Sequence, residues 1–377
     1  MASLVSPKDL VPALLPSGGS AAERLRQALS HAVLAPSRHN TQPWLFEVEE
    51  EEVRIHADVR RALPATDPDG RELVMACGAA VENLRLAAAH LGFATSLEVA
   101  AGYHRDGLLA RVRLEERSAS TPETEELFQA IPRRRTNRLP LDGREPPAGL
   151  VVSLLREARR EGASLRSVDD AQRRTVAELV AEGDRIRWAN GRYRAELAAW
   201  TRTNHTQRRD GMPGWSQGLG DAAAIVQPLV LRLWNPAADE AERDRRRTVG
   251  SKALIVLSTP RDGMADWLAA GEALQRVLLR ATAAGLCASW FGQVVEVPEL
   301  RARLRDLLGV EGQPQMMLRL GYGLDVRATP RRPVEEVLRS YRSERSRREA
   351  LALRTPPPVR FPERPAAGVE GERAGLH

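Results

Sequence analysis

The sequence predicts an α+β protein made of two similar halves fused in one chain. Three observations point there. Segments with apolar residues at helical spacing alternate with short stretches of strand length through most of the chain. One such helical segment recurs at a fixed offset of 193: Ala76, Gly78, Ala80, Leu86, Ala88, Gly92 and Ser96 return as Ala269, Gly271, Ala273, Leu279, Ala281, Gly285 and Ser289, seven identities in 21 positions without a gap. Finally, 377 residues at 42% hydrophobic and 28% charged are enough for two units of ordinary size, each with its own core.

The elements follow in order. Residues 1–20 are rich in Pro, Gly and Ser and are expected to be loose. Leu25, Ala28, Leu29, Ala32 and Val33 form an apolar stripe of helix, which Ala35-Pro36 stops. Trp44–Val48 and Val53–Ile55 read as a strand pair. The stretch Glu72–His90 is a helix rich in small residues, with Gly92 as its stop, and Leu97–Val99 and Leu109–Leu114 are strands. In the second half Ala253–Leu257 is a buried strand, a helix runs from about Asp266 to Ala284 before Gly285, and Met316–Leu320 is the last strand. Gly78 and Gly271 would let the two repeated helices pack closely on a partner. The expected organisation is a first half at 21–120, a second at 121–345 with a cap inserted at about 188–247, and a Pro-rich tail at 346–377. Such a fusion is a covalent dimer, so a site normally shared between subunits can be built within one chain, and a monomer is expected.

Composition excludes several classes. Of 56 basic residues only Lys8 and Lys252 are lysine, and the arginines are interspersed with 50 acids, giving a net charge of +6. With only 16 aromatic residues and no clustered basic face, nucleic-acid binding is not expected. No apolar run is long enough to span a bilayer, no signal-like start precedes the first helix, and the expected compartment is the cytoplasm. Cys77 and Cys287 make no C-x-x-C, and the seven histidines show no ligand spacing, so no metal site is expected. Gly214-Trp215-Ser216-Gln217-Gly218 matches a nucleophile elbow but lacks the preceding strand, and the only histidine after it is His377.

Three segments carry chemistry. Ala35-Pro36-Ser37-Arg38-His39-Asn40-Thr41-Gln42-Pro43-Trp44 is a rigid polar turn whose amides suit a planar heteroaromatic ring, or which simply ends a helix. Arg133-Arg134-Arg135-Thr136-Asn137-Arg138 gathers guanidinium groups and a hydroxyl that suit a phosphate, or form a solvated basic turn. Thr329-Pro330-Arg331-Arg332-Pro333 is a second basic turn.

Together these segments resemble the nitroreductase superfamily of flavoproteins. The turn at 35–44 is similar to that family's A-P-S-x-H-N-x-Q-P-W signature, and Arg134–Arg138 to its R-x-S/T-x-R/K flavin-phosphate motif. The carboxyl half, from Ala253–Leu257 through Gly285–Trp290 and Gly321-Tyr322-Gly323 to Pro330–Pro333, is similar to its closing sequence. The turn precedes the arginine motif, which with Asp67–Leu73 resembles the Acg-type branch of actinobacterial NAD(P)H nitroreductases. The resemblance implies a nitroreductase-like fold in each half and one FMN shared between them. A second site would be degenerate, because Gly162–Arg166 stands where a second polar turn belongs. It places Arg134, Arg135, Thr136 and Arg138 on the phosphate, ribityl chain and ring edge, with Arg331 or Arg332 joining the phosphate. Pro36, Ser37 and Asn40 would face the ring, and Phe291 and Gly292 would bring a backbone amide near flavin N5. The implied activity is ping-pong hydride transfer from NAD(P)H through FMN to a nitroaromatic or quinone acceptor, with no side-chain acid named. The alternative is a protein that sequesters flavin under a closed lid.

Overall fold

The structure, a computed structural model, describes residues 20–102, 104 and 106–339. The segment expected to be loose, save Ser20, and the expected tail lie outside the described residues.

The first sheet is built from local signals. Helix α1 (Ala21–Ala32) starts at a reciprocal cap, in which Ser20 Oγ accepts from the Glu23 amide and the Ser20 amide donates to Glu23 Oε2 at 2.7 Å. It buries Leu25, Ala28 and Leu29 against strands β1 (Trp44–Glu49) and β2 (Glu52–Ala57). Helix α2 (Arg71–His90), β3 (Phe93–Val99) and β4 (Leu108–Arg117) complete an antiparallel sheet of order β1-β2-β4-β3. Gly92 (φ +85°) turns the chain from α2 into β3.

After α3 (Pro122–Ala130) the same order of elements returns. Helix α4 (Ala148–Arg160) leads to β5 (Ser164–Ser167); β8 (Ala253–Thr259), α9 (Met264–Ala283), β9 (Cys287–Trp290) and β10 (Gln313–Gly321) complete a second sheet of order β5-β8-β10-β9. Between β5 and β8 lie α5 (Asp170–Ala189), α6 (Gly191–Trp200), the short parallel pair β6 (Thr201–Arg202) and β7 (Met212–Pro213), α7 (Asp221–Leu233) and α8 (Ala237–Val249). Helices α10 (Gln293–Glu296) and α11 (Pro298–Leu308) separate β9 from β10. The matched helices α2 and α9 begin and end 193 residues apart, and Gly285 (φ +77°) turns the second as Gly92 turns the first.

Helices α2 and α9 pack face to face where the repeat puts its glycines. A Cβ on Gly78 would overlap the Leu268 carbonyl oxygen and come within 3.1 Å of the Gly271 Cα. One on Gly271 would overlap the Met75 carbonyl oxygen and lie 2.9 Å from its Cα. Beside this contact Glu82 bonds Arg276, and Arg85 pairs with Glu272 at 2.8 Å. Burial pushes the Glu82 carboxyl up to about 7 and Glu272 to about 8, against the pull of these arginines. The folded chain therefore keeps protons that the unfolded chain has already released. The contribution of these two carboxyls to stability is fully present below about pH 4.5, declines as pH rises through 7–8 and is lost above. Relative to Glu272→Gln, the wild type is expected to lose Tm between pH 5 and 8 in a thermal melt series.

Two segments exchange between the halves. Helix α3 buries Leu127, Phe128 and Ala130 in the first sheet's core, and Ile131 follows it there. After β10 the chain returns to the first sheet, where α12 (Val334–Val337) packs and the Arg339 amide donates to the Phe46 carbonyl at 2.7 Å. Residues 331–339 thus pack with the first half, although they follow the last strand of the second. Among the described residues no helix is long and apolar enough to cross a membrane.

Candidate functional site

A cavity of about 570 Å³ opens where these segments meet, a volume in the range of small-molecule sites. The polar turn, the arginine segment and the C-terminal turn all reach it. Pro36, Ser37, Asn40, Arg134, Arg135, Thr136, Arg138 and Arg331 line its wall. The inserted helices close it from another side with Trp188, Leu197, Met212, Trp215, Val226 and Leu231, and Trp290 of β9 joins them.

The turn keeps its shape under strain. His39, Asn40 and Gln42 have φ of +50°, +57° and +52°, a left-handed conformation that costs non-glycine residues energy and persists only when surrounding bonds fix it. Those bonds are present. Asn40 Nδ2 donates to the carbonyls of Gly211 and Pro330, both at 3.0 Å, and Oδ1 accepts from Arg331 Nη1 at 2.9 Å. Gln42 Nε2 donates to the Arg209 carbonyl at 2.7 Å while its Oε1 accepts from the Arg332 amide at 2.7 Å. Asn40, which the resemblance places facing the ring, lines the cavity. Its side-chain amide also binds the turn to the inserted segment and to the C-terminal turn, and positions Arg331.

The arginine segment lies along the edge of the second sheet. Thr136 bridges Ala288 of β9, and the Asn137 amide donates to the Ala288 carbonyl at 2.9 Å. This backbone attachment carries Arg134, Arg135 and Arg138 to the cavity. Arg134 is 5% exposed, and its Nε and Nη1 have no hydrogen-bond partner. Burial, then the charges of Arg331 and Arg135, pull its guanidinium well below the usual arginine range. Burial and Arg135 lower Arg331 to about 10. Burial, with Arg38 and Arg247 nearby, does the same to Arg138, whose one polar contact among the described residues is Met212 Sδ at 3.9 Å. Among the described residues Arg135 and Arg331 hydrogen-bond only neutral oxygens, those of Pro132 and Arg134 for the first, which also feels the charge of Asp325, and of Asn40, Thr329, Pro330 and Leu34 for the second. Four guanidinium groups thus face one cavity without a carboxylate in ion-pair reach among the described residues; the buried Arg319 also lacks an ion pair there, but its Nη2 donates to the Asn137 and Leu139 carbonyls. Burying such charge is costly unless an anion compensates it. The donor set fits a dianionic phosphate.

Three expected site residues lie elsewhere. Arg332 turns away from the cavity, with Nη1 donating to the Gln42 carbonyl and Nη2 to the Glu336 carbonyl at 2.8 Å, so Arg331 is the one of the pair at the cavity. Phe291 is buried in the core beneath the second sheet, and its amide donates to the Met317 carbonyl at 2.9 Å, which leaves that amide no donor for a ligand. Gly292 makes room for an ion pair: a Cβ there would overlap Glu296 Oε1 and lie 2.6 Å from Arg38 Nη1.

That ion pair belongs to a network which sequence reasoning missed. Arg38 Nη2 meets Glu296 Oε1 at 2.7 Å, Arg187 joins Glu296 to Asp184, and Gln293 Nε2 donates to both Asp184 and Asp244 at 3.0 Å. Burial raises Glu72 and Asp184 to about 7. Its members come from positions far apart in the chain, and no local spacing reveals them. The α8 residues Glu240, Arg243 and Arg247 also line the cavity. Their i, i+3, i+7 spacing was visible but reads as a solvated helix face.

The nitroreductase family model matches residues 131–322. The protein named "Putative NAD(P)H nitroreductase acg" of Mycobacterium tuberculosis is 32% identical over 321 residues, covering 83% of this chain and 94% of its own. The chain belongs to the nitroreductase family. A second relative from the same organism, "Putative NAD(P)H nitroreductase Rv3131", is 31% identical over 322 residues, or 84% of this chain and 91% of that one. Among solved structures, the FMN-dependent nitroreductase NfnB of Mycobacterium smegmatis in complex with NADPH aligns with 58% of this nitroreductase-family chain and 99% of its own, at 18% identity and a TM-score of 0.37.

Proposed function

We propose that this chain is a fused pair of nitroreductase-like halves that binds one FMN in the cavity and passes hydride from NAD(P)H to a nitroaromatic or quinone acceptor. The observation that carries the reading is the buried, unpartnered guanidinium of Arg134 beside Arg331 and Arg135. Arg134, Arg135 and Arg331 would hold the phosphate, and Thr136 would bond the chain next to it. Arg138 supplies a cation at the ring edge, and Pro36 and Ser37 form the wall beside the ring. FMN, when bound, supplies the relay that takes two electrons from nicotinamide and gives them to the acceptor. The protein orients that relay, excludes water with the inserted helices and supplies positive charge around it.

The shared element order of the two sheets supports a pseudo-dimer with one complete site, and hence a monomer. The names of the two mycobacterial relatives support the nicotinamide donor. Anaerobic addition of NADPH to the flavin-loaded protein tests the activity. The expected result is bleaching of the flavin bands and their return on adding a nitroaromatic. A chain that holds flavin but bleaches with neither NADPH nor NADH is a sequestering protein.

A further inference from the structure

Two-electron reduction of a quinone consumes a hydride and a proton, and the cavity wall is rich in groups that hold charge but poor in groups that release protons. Arginine, even lowered by burial, is a weak acid at neutral pH. Among the described residues lining the cavity, Glu240 is the sole Asp, Glu or His. We propose that Glu240 is the carboxylic acid that protonates the acceptor as it is reduced. The inference rests on the reading of the cavity as a flavin site.

The geometry places Glu240 on the face of α8 turned to the cavity, together with Arg243 and Arg247. Its Oε1 accepts from Arg243 Nη1 at 2.8 Å, and its side chain is 23% exposed. Asp244, one turn further along α8, is bridged by Gln293 of α10 to Asp184 of α5, both contacts at 3.0 Å. Arg187 of α5 pairs with Asp184 at 2.9 Å. Glu240 therefore stands at the cavity end of a group of three carboxyls drawn from α5 and α8, with Arg187, Arg243 and Arg247 as the facing cations. Burial and the negative charge of Asp244 favour its protonated form, while Arg243, Arg247 and Arg187 oppose it, and the balance is upward. An acid raised toward the working pH is the one suited to give up a proton and recover it. Arg247 is close enough to Arg138 to lower its pKa, so this face of α8 adjoins the cation placed at the ring edge.

The step balances with the co-reactants already named. The electron pair and hydrogen of the hydride come from the nicotinamide by way of the cofactor. As they reach the quinone, the carboxyl O–H of Glu240 breaks and a new O–H forms on the developing oxyanion, giving the hydroquinone. The Glu240 carboxylate is then reprotonated from water, to which it is partly exposed.

The test uses the full chain loaded with FMN and reduced with dithionite, so that it does not depend on the nicotinamide step. Reoxidation is followed by stopped flow with 1,4-benzoquinone and with ferricyanide, which takes electrons but no proton. In Glu240→Gln, benzoquinone reoxidation is expected to slow ~10²-fold, a typical general-acid effect, and ferricyanide reoxidation to change little. The wild-type benzoquinone rate falls as pH rises, whereas the variant is slow and flat with pH. Infrared titration of the flavin-free protein gives an independent readout, a carboxyl C=O band that Glu240→Gln removes. Equal slowing with both oxidants, or retention of the wild-type rate and pH profile, overturns the role of Glu240 and leaves the flavin reading standing. A chain that takes up no FMN removes both.

Discussion

Replacing Arg134 with methionine is expected to abolish flavin retention on purification and at the same time to stabilise the flavin-free protein. Both effects come from one fact: the guanidinium is buried beside two other arginines with two of its nitrogens unpartnered. With phosphate present, each charge-assisted hydrogen bond contributes about 1.5–3 kcal/mol, so losing two weakens FMN binding by roughly a hundredfold or more. Without it, the same group is an uncompensated buried charge, and an apolar side chain of similar length removes that cost, by about 1–4 kcal/mol in comparable replacements. Flavin fluorescence titration gives the first effect and a thermal melt of the stripped protein the second. A variant with wild-type affinity for FMN, or a flavin-free variant that melts lower than its parent, would contradict the assignment. Arg332→Met, by contrast, should leave flavin affinity near wild type, because its side chain bonds backbone carbonyls away from the cavity.

Gly271→Ala is expected to be the most damaging conservative substitution in the fold. The added Cβ meets the backbone of Met75, with its carbonyl carbon at 2.8 Å and its Cα at 2.9 Å, and backbone cannot rotate aside as a side chain can. Helices α2 and α9 must separate, which loosens both cores at once, since Leu268 and Leu279 of α9 reach into the first and Met75 of α2 into the second. Overpacking typically costs about 1–3 kcal/mol, and a backbone clash belongs at or above the upper end. At roughly 1.5–2 °C per kcal/mol for a cooperative unit of more than about 300 residues, Tm falls by ~5 °C. Gly149→Ala, at the start of α4 with nothing within 4 Å of the new Cβ, is the matched control and should be neutral or slightly stabilising. Equal melting of the two variants would mean that the helices do not meet as closely as Gly78 and Gly271 allow.

The parts legible in the sequence are those encoded locally or by repetition. Helices α2 and α9 announced themselves by apolar spacing, by their glycine stops and by each other. The polar turn and the arginine segment stood out because Pro, Asn, Gln and clustered Arg are unusual next to apolar runs. What stayed hidden depends on distance. Nothing near Arg331 and Arg332 distinguishes them; Asn40 does so by bonding the first, while Gln42 accepts from the second's amide. Strand β5 carries no signal of its own: Ser164-Leu165-Arg166-Ser167 offers one partly buried apolar side chain and takes its conformation from pairing with β8. The Arg38–Glu296 pair and the carboxyls behind Glu240 join residues 49 or more positions apart, which no window on the chain can see. Phe291 and Gly292 rest on the resemblance alone; the Phe291 amide is taken by the Met317 carbonyl, and neither residue lines the cavity.

The proposed flavin site draws on both halves of one chain and is complete only once. It is tested by the absorbance spectrum of the purified, FMN-saturated protein, with released chromophore counted per chain. One FMN per chain is the expected result. Two per chain would mean that the half lacking a second polar turn also builds a site, and a colourless protein that takes up no FMN would leave the arginines of the cavity without the anion they are arranged to hold.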